Sequence, residues 1–375
     1  MRFANIRENN EGRATTKTLL ILNNIIFEKY RGAKAGYWYD IPLDFFENFN
    51  VLQEAQEYRL IMFKATTCNA QMLDFQQFRS RNEDLFIRFP YHFFPRHFFS
   101  HRFFSYINFE DSFFYRYLCH KGPIKNLELI VRDVGCGNWN EVKGDDFFLI
   151  YDLGGDIKFT DSDMELIFDK AKINRPFFGI ISHWDLDHYR ALLDLDDSQL
   201  KLMKNIVVPS KMPSTLQLKS ALRRLIHLGI KVDIILPSLK IGSRIDLISQ
   251  GRVNNVELFR SSDGANINQS GIVLTIEGAN KIGVLTGDHH YPQIYNAVLN
   301  IKSLKPYELV VPHHGGNAGN FDLTLWSSIP FSSGALSTMS GRYRNLPQTK
   351  VHNFFVTKKS FHCTECQKKP YTTFL

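Results

Sequence analysis

The chain has 375 residues, of which 44% are hydrophobic and 22% are charged. This composition excludes a largely disordered chain, and five cysteines are too few to indicate a disulfide framework, so we expect a reducing, cytoplasmic location. No apolar stretch is long enough to cross a bilayer, and the first residues do not read as a signal peptide, so no membrane association is expected. The net charge of +7 favours a polyanionic partner, although charge alone identifies none.

Residues 1–125 form a phenylalanine-rich first section whose function the sequence does not indicate. Its composition predicts strands at residues 18–27 and 58–63 and helices at residues 43–49 and 69–78. Between Phe93 and Phe104, phenylalanine doublets recur every five residues with Arg and His between them. These rings could stack on the bases of a single strand, but packing against the rest of the chain is the preferred interpretation. The section could also form the binding surface for a protein partner.

From residue 126 onward, short apolar runs alternate with amphipathic segments, which predicts one domain of sheets covered by helices through residue 375. Residues 127–134 and 147–151 are predicted to form a hairpin around a Gly/Asn turn. The other predicted elements are strands at 177–181, 206–208, 232–236, 272–276, 282–285 and 308–311, and helices at 161–172, 216–228 and 292–299.

Residues 182–188 read Ser-His-Trp-Asp-Leu-Asp-His and directly follow the predicted buried strand 177–181. Side chains two residues apart share a face of an extended segment, so His183, Asp185 and Asp187 could converge on one metal ion. If the chain then turns into a helix, His188 can reach a second ion. Nitrogen and oxygen ligands at this density suit zinc, manganese or iron.

Further metal-type ligands follow two later strands. Asp288 ends the predicted strand 282–285, and two ions a few ångströms apart need a bridging carboxylate of this kind. His313 and His314 end the strand 308–311. Three strand ends therefore carry candidate ligands, and strand ends that meet at one sheet edge would bring them together.

The order of these motifs resembles the metallo-β-lactamase fold superfamily, and most closely its ComEC-like branch. The resemblance covers residues 127–350 and rests on five segments: Asp133-Val134-Gly135-Cys136-Gly137, Asp152-Leu153-Gly154-Gly155, His183-x-Asp-x-Asp-His188, Thr286-Gly287-Asp288 and Pro312-His313-His314-Gly315. It implies a four-layer αββα sandwich with two divalent metal ions, Zn²⁺ or Mn²⁺, at one sheet edge.

The resemblance also implies a role for each residue. His183 and Asp185 would bind the first metal, Asp187 and His188 the second, and Asp288 would bridge them. His313 or His314 would complete the set, and Asp152 would be the buried carboxylate that orients a ligand. His289 and His290 could replace a ligand or donate a proton, while Trp184 and Asn268 could contact substrate.

Two departures from the family pattern stand out. The histidine that many members carry between the second and fourth motifs has no match, because His227, the only histidine between His188 and Asp288, falls inside a predicted helix. The segment Tyr343-Arg344-Asn345-Leu346-Pro347 lacks the histidine that the ComEC-like branch has there.

The expected function is therefore metal-dependent hydrolysis, in which Asp187 and Asp288 support attack on a nucleic acid or nucleotide by a metal-bridging hydroxide. A phosphodiesterase or nuclease is the first interpretation. A hydrolase of a small ester, lactone or thioester is an alternative, and so is a non-catalytic binding or regulatory module that retains the fold. Near the carboxyl terminus, Cys363 and Cys366 with His352 or His362 could be half of a structural zinc site, although two free thiols are the preferred interpretation.

Overall fold

The computed structural model describes residues 2–8, 14–20, 38–42, 71–73, 104–213, 215–237, 246–261, 266–300, 303–343 and 346–375. The chain divides into two compact units, Met1–Arg102 and Phe103–Leu375. In the first unit, β1 (Arg2–Glu8), β2 (Ala14–Leu20), β3 (Trp38–Pro42) and β4 (Gln71–Leu73) form an antiparallel sheet in that order. The helix predicted for residues 69–78 is therefore wrong over β4. The phenylalanine run before Phe104 lies outside the described residues.

The second unit begins earlier than the boundary near residue 125 that the sequence suggested. It includes β5 (Phe104–Ile107) and helix α1 (Phe113–Lys121), and Phe114 and Leu118 of α1 are fully buried in its core. The turn signal at Gly122 ends this helix, since Gly122 adopts a φ of 71° at the C-cap, where glycine has no Cβ penalty. The division into two functional domains stays a prediction.

The larger sheet of the second unit has eight strands in the order β19-β6-β7-β8-β9-β10-β11-β5. The strands from β19 to β8 pair antiparallel, and those from β8 to β5 pair parallel. Their bounds are β6 Glu128–Val131, β7 Trp139–Lys143, β8 Phe148–Leu153, β9 Phe177–Ile180, β10 Met203–Pro209, β11 Lys231–Ile235 and β19 Tyr371–Phe374.

The second sheet has seven strands in sequence order, β12 to β18. The pairs from β12 to β15 are antiparallel, and those from β15 to β18 are parallel. Their bounds are β12 Leu247–Val253, β13 Val256–Ser261, β14 Ile272–Glu277, β15 Ile282–Leu285, β16 Tyr307–Val310, β17 Phe331–Leu336 and β18 His362–Cys363. The hairpin predicted from β14 and β15 is confirmed.

Short helices connect the strands. After α1 they are α2 Asp161–Ala171, α3 Leu186–Tyr189, α4 Ala191–Asp194, α5 Asp197–Leu200, α6 Leu216–His227, α7 Tyr291–Ile294, α8 Leu323–Ser327, α9 Thr349–His352 and α10 Thr364–Gln367. Turns of π-helix extend α7 (Tyr295–Leu299) and α9 (Asn353–Lys358), and 3₁₀ turns form at Phe109–Asp111 and Asn268–Ser270. Pro312–Gly315 is a tight turn whose central residues have positive φ. Within the described ranges, no helix is long and apolar enough to cross a membrane.

The two sheets pack face to face, with helices on both outer surfaces. In β14, Leu274 belongs to the core between the sheets, whereas Val273 beside it packs under α7 and α8, because successive strand residues point to opposite faces. On the other sheet, Trp139 packs against Phe168 of α2 at a ring distance of 5.8 Å. The mixed α/β, four-layer αββα sandwich expected from the sequence is therefore confirmed.

One predicted hairpin is wrong. Residues 127–134 and 147–151 do overlap β6 and β8, but β7 lies between these strands and pairs with both. Asn140 and Glu141 are fully buried in β7, where Asn140 donates to Asn138 and Glu141 pairs with Arg132. These polar residues interrupt the apolar pattern by which a buried strand is predicted, so β7 was not predicted from the sequence.

Candidate metal centre

The predicted ligands follow the carboxyl ends of strands that run parallel in the two sheets. Asp152 lies near the end of β8, the 183–188 segment follows β9, Asp288 follows β15, and the two consecutive histidines, His313 and His314, follow β16. Carboxyl ends of neighbouring parallel strands meet at one sheet edge. The sandwich thereby brings residues that are more than 150 positions apart into one centre.

Two overlapping clusters of ligand atoms form at this edge. Within the described part of the chain, His183, His188 and Asp288 form one cluster and Asp187, His188 and His314 form the other, each with its ligand atoms within 4.8 Å of one another. His183, His188 and Asp288 are nearly fully buried. The structure thus brings together residues from all three strand ends that the sequence singled out.

Asp288 lies between two sets of ligand atoms and presents a different carboxylate oxygen to each. Its Oδ1 lies 3.2 Å from Nε2 of His188 and 3.8 Å from Nε2 of His314. Its Oδ2 lies 3.8 Å from Nε2 of His183 and 3.4 Å from Nδ1 of His313. His313 and His314, which the sequence could not separate, therefore face opposite oxygens of one buried carboxylate.

The remaining predicted ligands approach the edges of these sets. Asp185 Oδ2 is 3.3 Å from Nε2 of His183, and its side chain is 42% exposed. Asp187 Oδ2 is 3.4 Å from Nε2 of His314 and 3.9 Å from Nε2 of His188. Each Asp288 oxygen thus has two imidazoles and one further carboxylate in its neighbourhood.

Asp152 orients His188, which lies beside Oδ1 of Asp288. Its Oδ2 accepts from Nδ1 of His188 at 2.8 Å, from the Ser182 hydroxyl at 2.8 Å and from Nδ2 of Asn138 at 2.9 Å. Its Oδ1 accepts from the backbone N–H of Ser182 at 2.6 Å. A carboxylate can only accept, so Nδ1 of His188 carries a proton and Nε2 is the ring atom directed at Asp288.

Two more imidazoles are oriented in the same way. Nδ1 of His314 lies 3.1 Å from the Ser337 carbonyl oxygen, which can only accept, so Nδ1 donates and Nε2 of His314 faces Asp187. The Ser182 hydroxyl donates to Asp152 and so accepts from Nδ1 of His183 at 3.0 Å. The Nε2 atoms of all three imidazoles therefore face the centre.

The carboxylates and imidazoles of the centre shift one another's pKa values. Burial alone would lower the pKa of His188, but the carboxylates of Asp288, Asp152 and Asp187 outweigh it and hold that pKa well above its usual value. Burial alone would raise the pKa of Asp288, but His313, His188 and His183 hold it well below 3.8. Asp288 is thus ionised, and its negative charge favours a cation beside these imidazoles.

The residues fit a divalent cation. Nε2 of His188, Oδ1 of Asp288 and Nε2 of His314 are buried and have no hydrogen-bond partner, although they lie within 4 Å of one another in two pairs. Buried polar atoms without partners are costly. A cation ligated by these atoms would remove this penalty, and imidazole with carboxylate is a donor set that zinc and manganese accept.

Backbone conformation also supports the centre. His313 and His314 adopt φ angles of 51° and 52°, and Asp152 adopts 58°. Non-glycine residues in this left-handed region cost about 1–2 kcal/mol each. The surrounding contacts hold these residues in place, and such strain concentrates at functional sites.

Four predicted site residues occupy other positions. His289 is fully buried, its Nδ1 lies 3.4 Å from Oε1 of Gln293, and burial lowers its pKa to about 4, so it is neutral at neutral pH and poorly suited to donate a proton. His290 is partly buried, and its Nδ1 accepts from Gln269 at 2.7 Å. Neither belongs to a cluster of ligand atoms within the part of the chain that the structure describes.

The contacts that the structure shows for Trp184 and Asn268 are with other protein groups, and their predicted substrate contacts stay a prediction. Trp184 is 1% exposed, and its indole donates to the Pro209 carbonyl at 3.0 Å. Asn268 Nδ2 lies 3.3 Å from Asp288 Oδ2 and 3.2 Å from Nδ1 of His313. It therefore orients these two groups. His227, at the exposed end of α6, lies outside the centre, as expected.

Sequence reasoning missed the residues that hold the ligands. Asp152 accepts from Asn138 and Ser182, and His314 faces the Ser337 carbonyl. Ser182 could have been found from its position directly before His183. Asn138 and Ser337 carried no local signal.

No family model matches the chain, and no curated protein matches it. Solved structures do match. The metallo-β-lactamase fold protein YhfI from Bacillus subtilis is 11% identical with a TM-score of 0.39, over 67% of this chain and 100% of its own. Zn²⁺-bound PqqB from Methylobacterium extorquens is 10% identical with a TM-score of 0.40, over 64% and 87%. A diphosphatase of the PhnP family is 8% identical with a TM-score of 0.37, over 66% and 97%. The assignment to the ComEC-like branch stays a prediction.

Proposed function

We propose that this protein is a hydrolase that depends on two divalent metal ions and cleaves phosphodiester bonds of a nucleic acid or nucleotide. The observation that carries the proposal is the position of Asp288, whose two oxygens face separate sets of histidines and aspartates. One carboxylate placed in this way can hold two cations side by side.

In this proposal, His183, Asp185 and His313 serve one ion and Asp187, His188 and His314 serve the other, with Asp288 shared. His313 would then take the place of the histidine ligand that many members of the resembled family carry between the second and fourth motifs. The protein would offer each ion two nitrogen and two oxygen ligands. This set is harder than a three-histidine site and accepts Mn²⁺ as well as Zn²⁺.

Divalent cations held there would supply Lewis-acid activation of water and of the phosphoryl group. The protein contributes the orientation of the ligands. Asp152 and Ser337 keep Nε2 of His188 and of His314 directed inward. His290 is the better placed candidate for delivering a proton to the leaving group, because Gln269 donates to its Nδ1 and the ring proton is then on Nε2.

A phosphodiester is favoured over a neutral ester by the net charge of +7, since basic side chains neutralise phosphates and release counterions. Residues 1–125 are proposed to provide a surface for substrate or for a protein partner. The prediction for nucleic acid implies that KM rises steeply with added salt, whereas hydrolysis of a small neutral ester or lactone would be nearly insensitive to salt.

The test compares variants of the purified, metal-loaded protein on single-stranded DNA, RNA, a chromogenic phosphodiester and a chromogenic acetate ester. We expect Asp288→Asn and Asp187→Asn to lose both bound metal and phosphodiester cleavage. Asp233→Asn is the matched control, because Asp233 is a buried carboxylate whose contacts are with Phe113, Asn205 and Lys231. Activity that survives in both site variants, or a protein that binds nucleic acid without any turnover, would refute the proposal.

A further inference from the structure

A second cluster of metal-type ligands lies away from the candidate metal centre. His352 at the end of α9, Cys363 at the end of β18 and Cys366 in α10 bring one nitrogen and two sulfur atoms within 4.8 Å of one another. Nε2 of His352 lies 3.7 Å from Sγ of Cys366. Both cysteines are free thiols. The neighbouring His362, which the sequence offered as an alternative, instead faces the Lys369 carbonyl at 2.8 Å.

A backbone hydrogen bond favours negative charge on the sulfur of Cys363. The N–H of Cys366 donates to Sγ of Cys363 at 3.3 Å, so the chain folds back over the first sulfur and carries the second to the same side. Hydrogen bonds from backbone N–H groups favour a thiolate. Cys363 is 1% exposed, whereas Cys366 is exposed and His352 is half-buried, so a cation can enter from the surface.

A bound cation would displace the thiol protons of both cysteines, because thiolate is the ligand form of cysteine. Two sulfurs and one imidazole select zinc or another soft cation over magnesium or calcium.

We propose that His352, Cys363 and Cys366 form a zinc site that is separate from the candidate metal centre. Three protein ligands leave one of the four zinc positions to solvent on the exposed side of Cys366. The site links α9 to the β18–α10 turn. The proposal of this site does not rest on the proposed hydrolase activity.

The position of this site suggests what it stabilises. Glu365, between the two cysteines, accepts from the backbone N–H and the hydroxyl of Ser340 at 2.8 and 2.7 Å. Thr364 accepts from the N–H of Thr338 at 3.3 Å. The segment 337–340 that these contacts hold also carries the Ser337 carbonyl, which orients His314. The zinc site would thus stabilise the segment whose Ser337 carbonyl orients His314 in the candidate metal centre.

Cobalt(II) substitution in the full-length, reduced protein tests the proposal. Sulfur bound to cobalt gives a charge-transfer band in the near ultraviolet, whereas the candidate metal centre offers only nitrogen and oxygen. We expect this band in the wild-type protein, its loss in Cys366→Ser and its weakening in His352→Gln. Zinc content should fall by about one equivalent per chain in Cys366→Ser. Cys119→Ser, which changes another exposed free cysteine, is the matched control and should keep the band.

Three results would overturn the zinc site. They are a wild-type protein without the band at saturating cobalt, a band unchanged in Cys366→Ser, and a disulfide between Cys363 and Cys366 in protein purified without oxidant. Cys366 is exposed, so its serine variant should fold, and circular dichroism verifies this. Hydrolytic activity is not needed for any of these measurements. Failure of the zinc site and failure of the proposed function are therefore distinguishable.

Discussion

Replacing Asp152 with asparagine keeps the shape of the side chain but removes one of its two acceptor oxygens. Asp152 is fully buried and accepts four hydrogen bonds, one on Oδ1 from the Ser182 N–H and three on Oδ2. The amide oxygen best replaces Oδ2, where three donors meet. The amide NH₂ group then faces the Ser182 N–H, donor against donor.

The magnitude follows from this count. One buried N–H without an acceptor destabilises the fold by about 1–3 kcal/mol. The three retained bonds also weaken, because hydrogen bonds to a charged acceptor are about twice as strong as those to a neutral one. His188 then loses the carboxylate that fixes its tautomer. We expect metal affinity at the Asp187–His188–His314 set to fall by about 10- to 100-fold.

The assay is a competition titration of zinc or manganese against a chromophoric chelator, with stability measured by urea unfolding of the metal-free protein. Asp233→Asn is the matched control, since it should lower stability while leaving metal affinity unchanged. If Asp152→Asn and Asp233→Asn lost stability alike and both kept wild-type affinity, Asp152 would be a packing residue and our account of His188 would fail.

Three further predictions concern the fold around the centre. Gly154→Ala should lower stability and metal affinity together, because a Cβ there would lie 1.6 Å from the Asp187 carbonyl oxygen; unchanged metal titration would contradict this close approach. Phe114→Ala should destabilise the second unit by about 3–5 kcal/mol in urea unfolding, because the ring is fully buried. A loss of stability below about 1 kcal/mol would mean that helix α1 does not contribute to the core of the second unit. Lys305 and Arg252 hold the pKa of Glu277 below its usual 4.5, so Glu277 stabilises the fold above that pH and ceases to do so as pH falls through its lower, folded-state pKa. Glu277→Gln should therefore be less stable than wild type at neutral pH and equal to it in strong acid, and a gap that persists in acid would contradict the ion pairs.

The sequence alone determined the type of fold and the parts of the centre that local patterns mark. Apolar runs that end in clustered His and Asp residues identified strand ends at 183–188, 288 and 313–314, and the helices at 161–172 and 216–228 were confirmed within one residue at each end. Amphipathic spacing and a dense ligand motif are local signals. Both signals can be recognised in the sequence because each pattern is complete within a short run of neighbouring residues.

Only the tertiary structure decided how these parts combine. It placed His313 and His314 on opposite oxygens of Asp288, removed Trp184 from the surface and recruited Asn138 and Ser337 as supports. It also brought His352 within reach of Cys363 and Cys366. Each of these contacts joins residues that lie on or beside different strands or helices. Their geometry depends on the register of parallel strands and the packing of two sheets, and no local pattern encodes either.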